Sequence, residues 1–305
     1  MLDLVIKAVA YSSCIGIGAA AIALIYNTTK TFNFAHSSMV TWGIYMVFTA
    51  TYLLGKSPYF FVALSALFGA FLGIIVYVSV NRRLIKAKAN EVTLMMSTLG
   101  VDLILFGFLN IYSDYLLNKY KFPAKYFALE TRDVFIKIGD AQIRLVGLVA
   151  PIVLALIVIF LHTFLTKTKI GTAMRASVEN PELAGLSGIN PEVVYLLAWV
   201  IGGALAGLSG GLLSMVITGY TAVGMTIVVS FFAGAIVGGL YSVYGSLLGG
   251  FLIGLGEYLG VTLLSRFVGA WIFSYRPAIP LVIMAITLLV EPRGLVALST
   301  RFQRR

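Results

Sequence analysis

Charge is what this sequence most conspicuously lacks. Of 305 residues only 11% are Asp, Glu, Lys or Arg, whereas 60% are hydrophobic. There is one cysteine, Cys14, so no intramolecular disulfide can form. Cys14 sits in an apolar run with Tyr11 where a lipoprotein cleavage site would want an aliphatic residue, and a buried thiol is expected instead. A cleavable signal is not expected, because the first apolar run is long and Asp3 precedes it. The two histidines, His36 and His162, have no metal-ligand spacing, so no metal and no cofactor is expected. Paired catalytic carboxylates and a nucleophile–base arrangement are missing from the apolar stretches, which argues against an enzyme. Gly55-Lys56-Ser57 has the ending of a phosphate loop, but the first glycine of that motif falls at Ala50. Nucleotide binding by that motif is excluded.

What is present is apolar sequence in lengths of about 20 residues, enough to cross a bilayer. Such runs lie at about 4–26, 34–54, 60–80, 92–112, 145–165, 193–217, 224–240, 245–264 and 278–290. They predict an all-α, polytopic integral membrane protein of eight or nine transmembrane helices, with 1–305 as a single domain. The net charge of +10 does not point to nucleic acid, because no face alternates aromatic and basic residues. The cations cluster in short segments, 82–88, 167–192 and the tail 292–305, and this bias places those segments in the cytoplasm. The stretch 113–143 mixes both signs and reads as external, as does the loop with Arg266, Trp271 and Arg276. Within the former, 134–138 and 141–145 flank Gly139-Asp140, a hairpin signal.

The segment 167–192 has helix punctuation of its own. Asn180 suits an N-cap, Pro181 the first helical position and Gly188 the residue past a helix end; Asn190-Pro191-Glu192 repeats the device. Glu182 and Glu192 each favour the positive end of a helix dipole. Short helices at about 172–179 and 181–187 are predicted. Arg175 and Glu179 share a face of the first. An idle connector needs no such capping, since most connections are only a few residues long; a docking element does.

Small residues recur at helix-packing spacing. Gly203, Gly207 and Gly211 form a ridge, with Gly202, Ala206 and Gly210 one position earlier in each turn. Ionisable residues inside the runs are few: His36, His162, Asp102 and Glu257. A carboxylate at bilayer depth costs about 2.5–3.5 kcal/mol, so Asp102 and Glu257 are expected to face either an interior path or a partner group. His162 is expected at the interface. A polar break at 27–38 interrupts the second run.

These residues converge on a known pattern. Asn33-Phe34-Ala35-His36, the stretch from Gly171 through Arg175 and Ala184 to Gly188-Ile189-Asn190, and the series Gly238, Gly239, Gly245, Gly249, Gly250, Gly254, Glu257 together resemble the branched-chain amino-acid permeases of ATP-binding-cassette importers, most closely the LivH type. The resemblance covers nearly the whole chain. It implies a multi-pass protein of the cell membrane that works with two ATP-binding subunits, a second permease chain of LivM type and an extracytoplasmic substrate-binding protein. It further implies that 171–189, with Arg175, Glu179, Glu182, Ala184 and Gly188, couples to the ATPase. Asn33, Phe34, His36, Asp102 and Glu257 would then face the translocation path. Two features depart from the pattern: Ser37 and Ser38 replace a glycine and a commonly acidic residue, and Asp102 stands where a small or hydroxylic residue is usual. A urea or short-amide importer of the same family is the nearest alternative. A stand-alone carrier or channel and a non-transporting scaffold are the readings from other classes.

Overall fold

The computed structural model describes residues 2–138, 141–292 and 294–296. The Gly139-Asp140 turn and the arginines of the tail lie outside them. Twelve helices are described: α1 (Leu2–Thr29), α2 (His36–Leu54), α3 (Val62–Val76), α4 (Arg82–Lys86), α5 (Glu91–Tyr120), α6 (Val146–Lys167), α7 (Lys169–Glu179), α8 (Pro181–Leu186), α9 (Pro191–Leu213), α10 (Val223–Gly238), α11 (Val243–Val268) and α12 (Ala278–Val290). The strands β1 (Phe135–Ile138) and β2 (Ala141–Arg144) pair antiparallel, as the hairpin signal predicts. The all-α expectation therefore holds for the bundle and not for this hairpin.

A 3₁₀ turn, Pro58–Phe61, leads into α3, and a π-helical turn, Tyr77–Asn81, carries it on into α4. The basic stretch 82–88 is thus mostly helix, and the non-helical turn is confined to 87–90. Six helical segments are long and apolar enough to cross a membrane: Asp3–Thr29, Pro58–Lys86, Glu91–Tyr120, Val146–Lys167, Pro191–Leu213 and Val243–Val268.

The bundle has two recognisable ends. At the hairpin end, Tyr59 donates to Asp133 (2.6 Å), and Phe127 and Gly219 form a β-bridge. At the basic end, Glu192 at the start of α9 meets Arg82 (2.8 Å) and Lys86 (2.6 Å), joining α9 to α4. α3 and α9 are antiparallel between these ends.

Small residues decide which helices lie closest. A Cβ at Gly207 would run into the Ser65 carbonyl oxygen and Gly69, and one at Gly203 would meet Gly69 and Gly73. The ridge Gly203/Gly207/Gly211 therefore seats α9 on α3, while Gly202 and Gly210 seat it on Ile25 of α1 and Val40 of α2. Gly234 against Gly250 and Gly238 against Gly245 bring α10 onto α11 in the same way. α1 is enclosed almost completely by α6, α9, α10 and α11, which suits its run of Gly16, Gly18 and Ala19–Ala21. By contrast α5 and α6 leave most of their apolar surface outward.

Candidate functional site: two interrupted helices and a buried ion pair

The break after α1 is narrower than 27–38, because α1 stays helical to Thr29 and α2 begins at His36. The intervening chain is not a surface loop. Thr98 of α5 donates to the Phe32 carbonyl (3.0 Å) and accepts from the Phe34 N–H (3.1 Å). Asp102, one turn further along α5, accepts from the Ser37 hydroxyl (2.7 Å) and the Ser38 N–H (3.1 Å). Counted at 1.5 Å per residue from the Asn90 cap, Asp102 lies roughly 18 Å along α5. The start of α2 is therefore held at mid-depth of the bundle. Asp102 caps that helix from outside, satisfying donors that would otherwise be orphaned. The two departures from the family pattern thus meet in one contact: the carboxylate is supplied by α5, and the serines of α2 donate to it.

A second interruption lies beside the first. α9 ends at Leu213 and not near 217, and α10 opens at Val223. The Gly224 N–H donates to the Thr41 hydroxyl (3.0 Å), which itself donates to the Ser37 carbonyl (2.9 Å). Two helix starts thus sit side by side in the interior, each capped by a side chain of another helix. Non-helical backbone at such depth is tolerated only when enclosed by protein or lining a cavity. At 16 residues, α10 is about 24 Å long, short of a hydrocarbon core of about 30 Å.

Asn33 and His36 are both fully buried here. Asn33 Nδ2 reaches only Met39 Sδ (3.6 Å), while its Oδ1 and both His36 ring nitrogens lack hydrogen-bond partners. The His36 ring lies edge-on to Phe231 (5.1 Å between centroids), and Phe231 fits where Gly18 has no side chain. Phe34 is half-buried against Phe232 (4.9 Å). Lys30 lies over the Tyr241 ring (4.6 Å), where cation–π attraction offsets part of its desolvation.

Glu257 belongs to a separate cluster. Its Oε1 accepts from Tyr11 (2.9 Å) and from Arg276 Nε (2.5 Å), and its Oε2 accepts from Ser230 (2.6 Å). Arg276 also stacks over Tyr11, with Cζ 4.4 Å from the ring centre. The carboxylate is 2% exposed and serves four segments at once. Ser230 and Phe231 are neighbours on α10, so that helix separates the Glu257 cluster from His36. Sequence reasoning placed Arg276 in an external loop and did not pair it with Glu257. The signal was available, since a buried carboxylate demands a cation or donors nearby.

At the basic end, Thr168 caps α7 and Asn180 caps α8, accepting from Glu182 N–H and Leu183 N–H at 3.1 Å. Gly188 takes φ = 81° past the end of α8. Arg175, Glu179 and Glu182 are exposed. Ala184 is not: at 4% exposure it packs inward under α8, so its side chain offers no outward surface. Leu183 and Leu186, which sequence reasoning passed over, are 60% and 86% exposed on the same short helix. His162 is exposed near the end of α6 beside Tyr244 (3.5 Å). Among the described residues no three His, Cys, Asp or Glu side chains gather as a metal site would require.

Comparison with known proteins settles the class. The family model described as the permease component of the branched-chain amino acid transport system matches residues 4–290. The chain belongs to this permease family. It is 36% identical over 300 residues to the probable branched-chain amino acid transport permease protein LivH of Methanocaldococcus jannaschii, covering 98% of this chain and 93% of that one. The BraD permease protein of the high-affinity branched-chain amino acid system of Pseudomonas aeruginosa is 26% identical over 90% of this chain and 88% of its own length. The LivH protein of the corresponding Escherichia coli system is 32% identical over 160 residues, 52% of this chain and 49% of that protein. No solved structure matches. This permease is thus a multi-pass membrane protein whose interrupted helices and buried ion pair lie inside the transport fold.

Proposed function

We propose that this permease is the membrane subunit of an ATP-driven importer of branched-chain or similar amino acids, located in the cell membrane. It pairs with a second, LivM-type permease chain, two ATP-binding subunits and an extracytoplasmic substrate-binding protein. The chain is one permease domain. With α2, α10 and α12 added to the six long segments, nine helices are embedded in the bilayer. The basic end faces the cytoplasm and the hairpin end faces outward, in keeping with the clustered cations of 82–88 and 167–192. The substrate path passes the starts of α2 and α10, past Asn33, Phe34, His36 and Asp102, and the Glu257 cluster at the hairpin side.

The observation that carries the coupling assignment is α8. A six-residue helix capped by Asn180 presents Leu183 and Leu186 outward at the polar, basic end. Apolar side chains so exposed on a rigid, capped element support docking to another protein more readily than exposure to water. Arg175, Glu179 and Glu182 surround them and would set the register. The α9 start next to this element is tied by Glu192 to Arg82 and Lys86, which gives a push on α7–α8 a direct route into α9 and α3.

The test is uptake into membrane vesicles that contain the permease with its partner permease, the ATP-binding subunits and the binding protein. Radiolabelled leucine, isoleucine or valine should accumulate when ATP is supplied and should not when only a proton or sodium gradient is imposed. Gradient-driven uptake without ATP would sink the proposal in favour of a stand-alone carrier. Accumulation of urea or acetamide in place of leucine would move the assignment to the amide importers.

A further inference from the structure

A cavity of about 380 Å³ lies against the Glu257–Arg276 pair, between the start of α10 and the turn Ala270–Tyr275 that precedes α12. Val223, Ile227, Ile217 and Phe273 form an apolar wall, while Thr226, Tyr220 and Ser274 bring hydroxyls to the same space. The size falls within the range of small-molecule pockets, as does the mixture of a mainly apolar lining with a few polar groups.

We infer that this cavity is a binding site for a zwitterionic aliphatic amino acid, with Arg276 receiving the α-carboxylate. Glu257 cannot be the group that attracts the ligand, because its two oxygens already take hydrogen bonds from Tyr11, Ser230 and Arg276. It acts as a positioning residue that holds the guanidinium by Nε. Arg276 has capacity left: 28% of its side chain is exposed and it lines the cavity, while its Nη2, sealed from solvent, has no hydrogen-bond acceptor. A guanidinium carries five donors in a planar fork that suits a carboxylate, so one edge can serve Glu257 while another takes the ligand. The N-terminal turn of α10, with Val223 and Thr226, lines the same cavity and adds the positive end of a helix dipole where the anionic group would lie. The hydroxyls of Tyr220 and Thr226 share a 2.9 Å hydrogen bond, and their remaining lone pairs, with the Ser274 hydroxyl, can accept from the ammonium, while the apolar wall suits a branched side chain. A ligand without a carboxylate, such as urea or an amino-acid amide, forgoes the Arg276 contact.

The inference rests on the reading that this permease handles amino acids, and its test is separable from the uptake test. The full-length chain in lipid nanodiscs is titrated with tritiated L-leucine, with leucinamide and urea as competitors. Leucine should bind saturably, and leucinamide and urea should compete at least tenfold less well than unlabelled leucine. Arg276→Gln should weaken leucine binding at least tenfold. Thr226→Trp, which fills the cavity and leaves both Glu257 and Arg276 in the chain, should do the same in folded protein, and it decides the matter if Arg276→Gln does not fold. Equal competition by leucinamide, or undiminished leucine binding in folded Thr226→Trp, would overturn the site. So would binding of an acidic peptide with no binding of leucine, which would make the cavity a dock for a protein. Leucine uptake by the assembled system without binding here removes this site and leaves the transport reading intact. Leucine binding here without uptake does the reverse.

Discussion

Arg276 and Glu257 face each other across 19 positions of sequence, with Nε 2.5 Å from Oε1, and Tyr11 of α1 donates to the same oxygen. The pair therefore fastens the turn before α12 to α11 and α1 together. Removing one member of a buried pair leaves an uncompensated charge and costs about 3–5 kcal/mol. Because Arg276 is partly exposed, the lower part of that range is expected for Glu257→Ala. The Glu257→Ala/Arg276→Ala double variant should lose less than the sum of the singles. Thermal unfolding in nanodiscs measures all three, and strict additivity would show that the two side chains do not depend on each other.

Asp102 should behave as a helix cap. Asp102→Ala leaves the Ser38 N–H and the Ser37 hydroxyl without an acceptor in a buried setting, a loss of about 1–3 kcal/mol. Asp102→Asn keeps an acceptor oxygen and should cost less than half as much. If the two variants melt together, the charge and not the acceptor geometry is what the start of α2 requires.

Glycines on opposite sides of the bundle should respond in opposite ways. Gly207→Leu forces α9 away from Ser65 and Gly69 and should prevent correct folding, since close-packed interiors tolerate little added volume. Gly100 and Gly107 of α5 have nothing within 4 Å of a built Cβ. Alanine there should be neutral or stabilising by up to about 1 kcal/mol through helix propensity. Monodispersity after extraction and the melting midpoint separate the cases, and a well-folded Gly207→Leu variant would mean that α9 and α3 can part.

Orientation is checked with cysteines. Native Cys14 is fully buried and contributes no background. A membrane-impermeant thiol reagent applied to intact cells should label Lys121→Cys and spare Lys169→Cys. The opposite pattern would put the basic end outside and remove α7–α8 from reach of any cytoplasmic ATPase.

Arg175→Glu and Leu186→Glu should insert and express normally, release the ATP-binding subunits on purification and reduce uptake to near background. Arg175 and Glu179 form no ion pair with each other among the described residues. Even an i,i+4 pair would contribute only about 0.2–0.5 kcal/mol. A large phenotype must therefore come from an external contact. Unchanged co-purification together with full uptake would reduce α7–α8 to a connector.

Local rules were enough to read much of this protein from its residues. Apolar runs, each long enough to satisfy its own backbone in lipid, fixed most of the helices. Asn180, Pro181, Gly188 and Asn190 fixed the caps of α8 and α9, because a side chain accepting an N–H two or three residues on is a matter of spacing alone. The Gly203/Gly207/Gly211 ridge announced a close approach, though not that Ser65 and Gly69 would be its partner. What the tertiary structure alone decided is long-range. That Asp102 caps α2, that Thr41 caps α10, that Arg276 meets Glu257, and that Ala184 turns inward while Leu186 turns outward all depend on how separate helices are placed against one another. A polar group deep in a membrane protein must find some partner, and the sequence shows that demand at each such residue. Which group meets it is set by packing between segments far apart in the chain, and no local pattern encodes that choice.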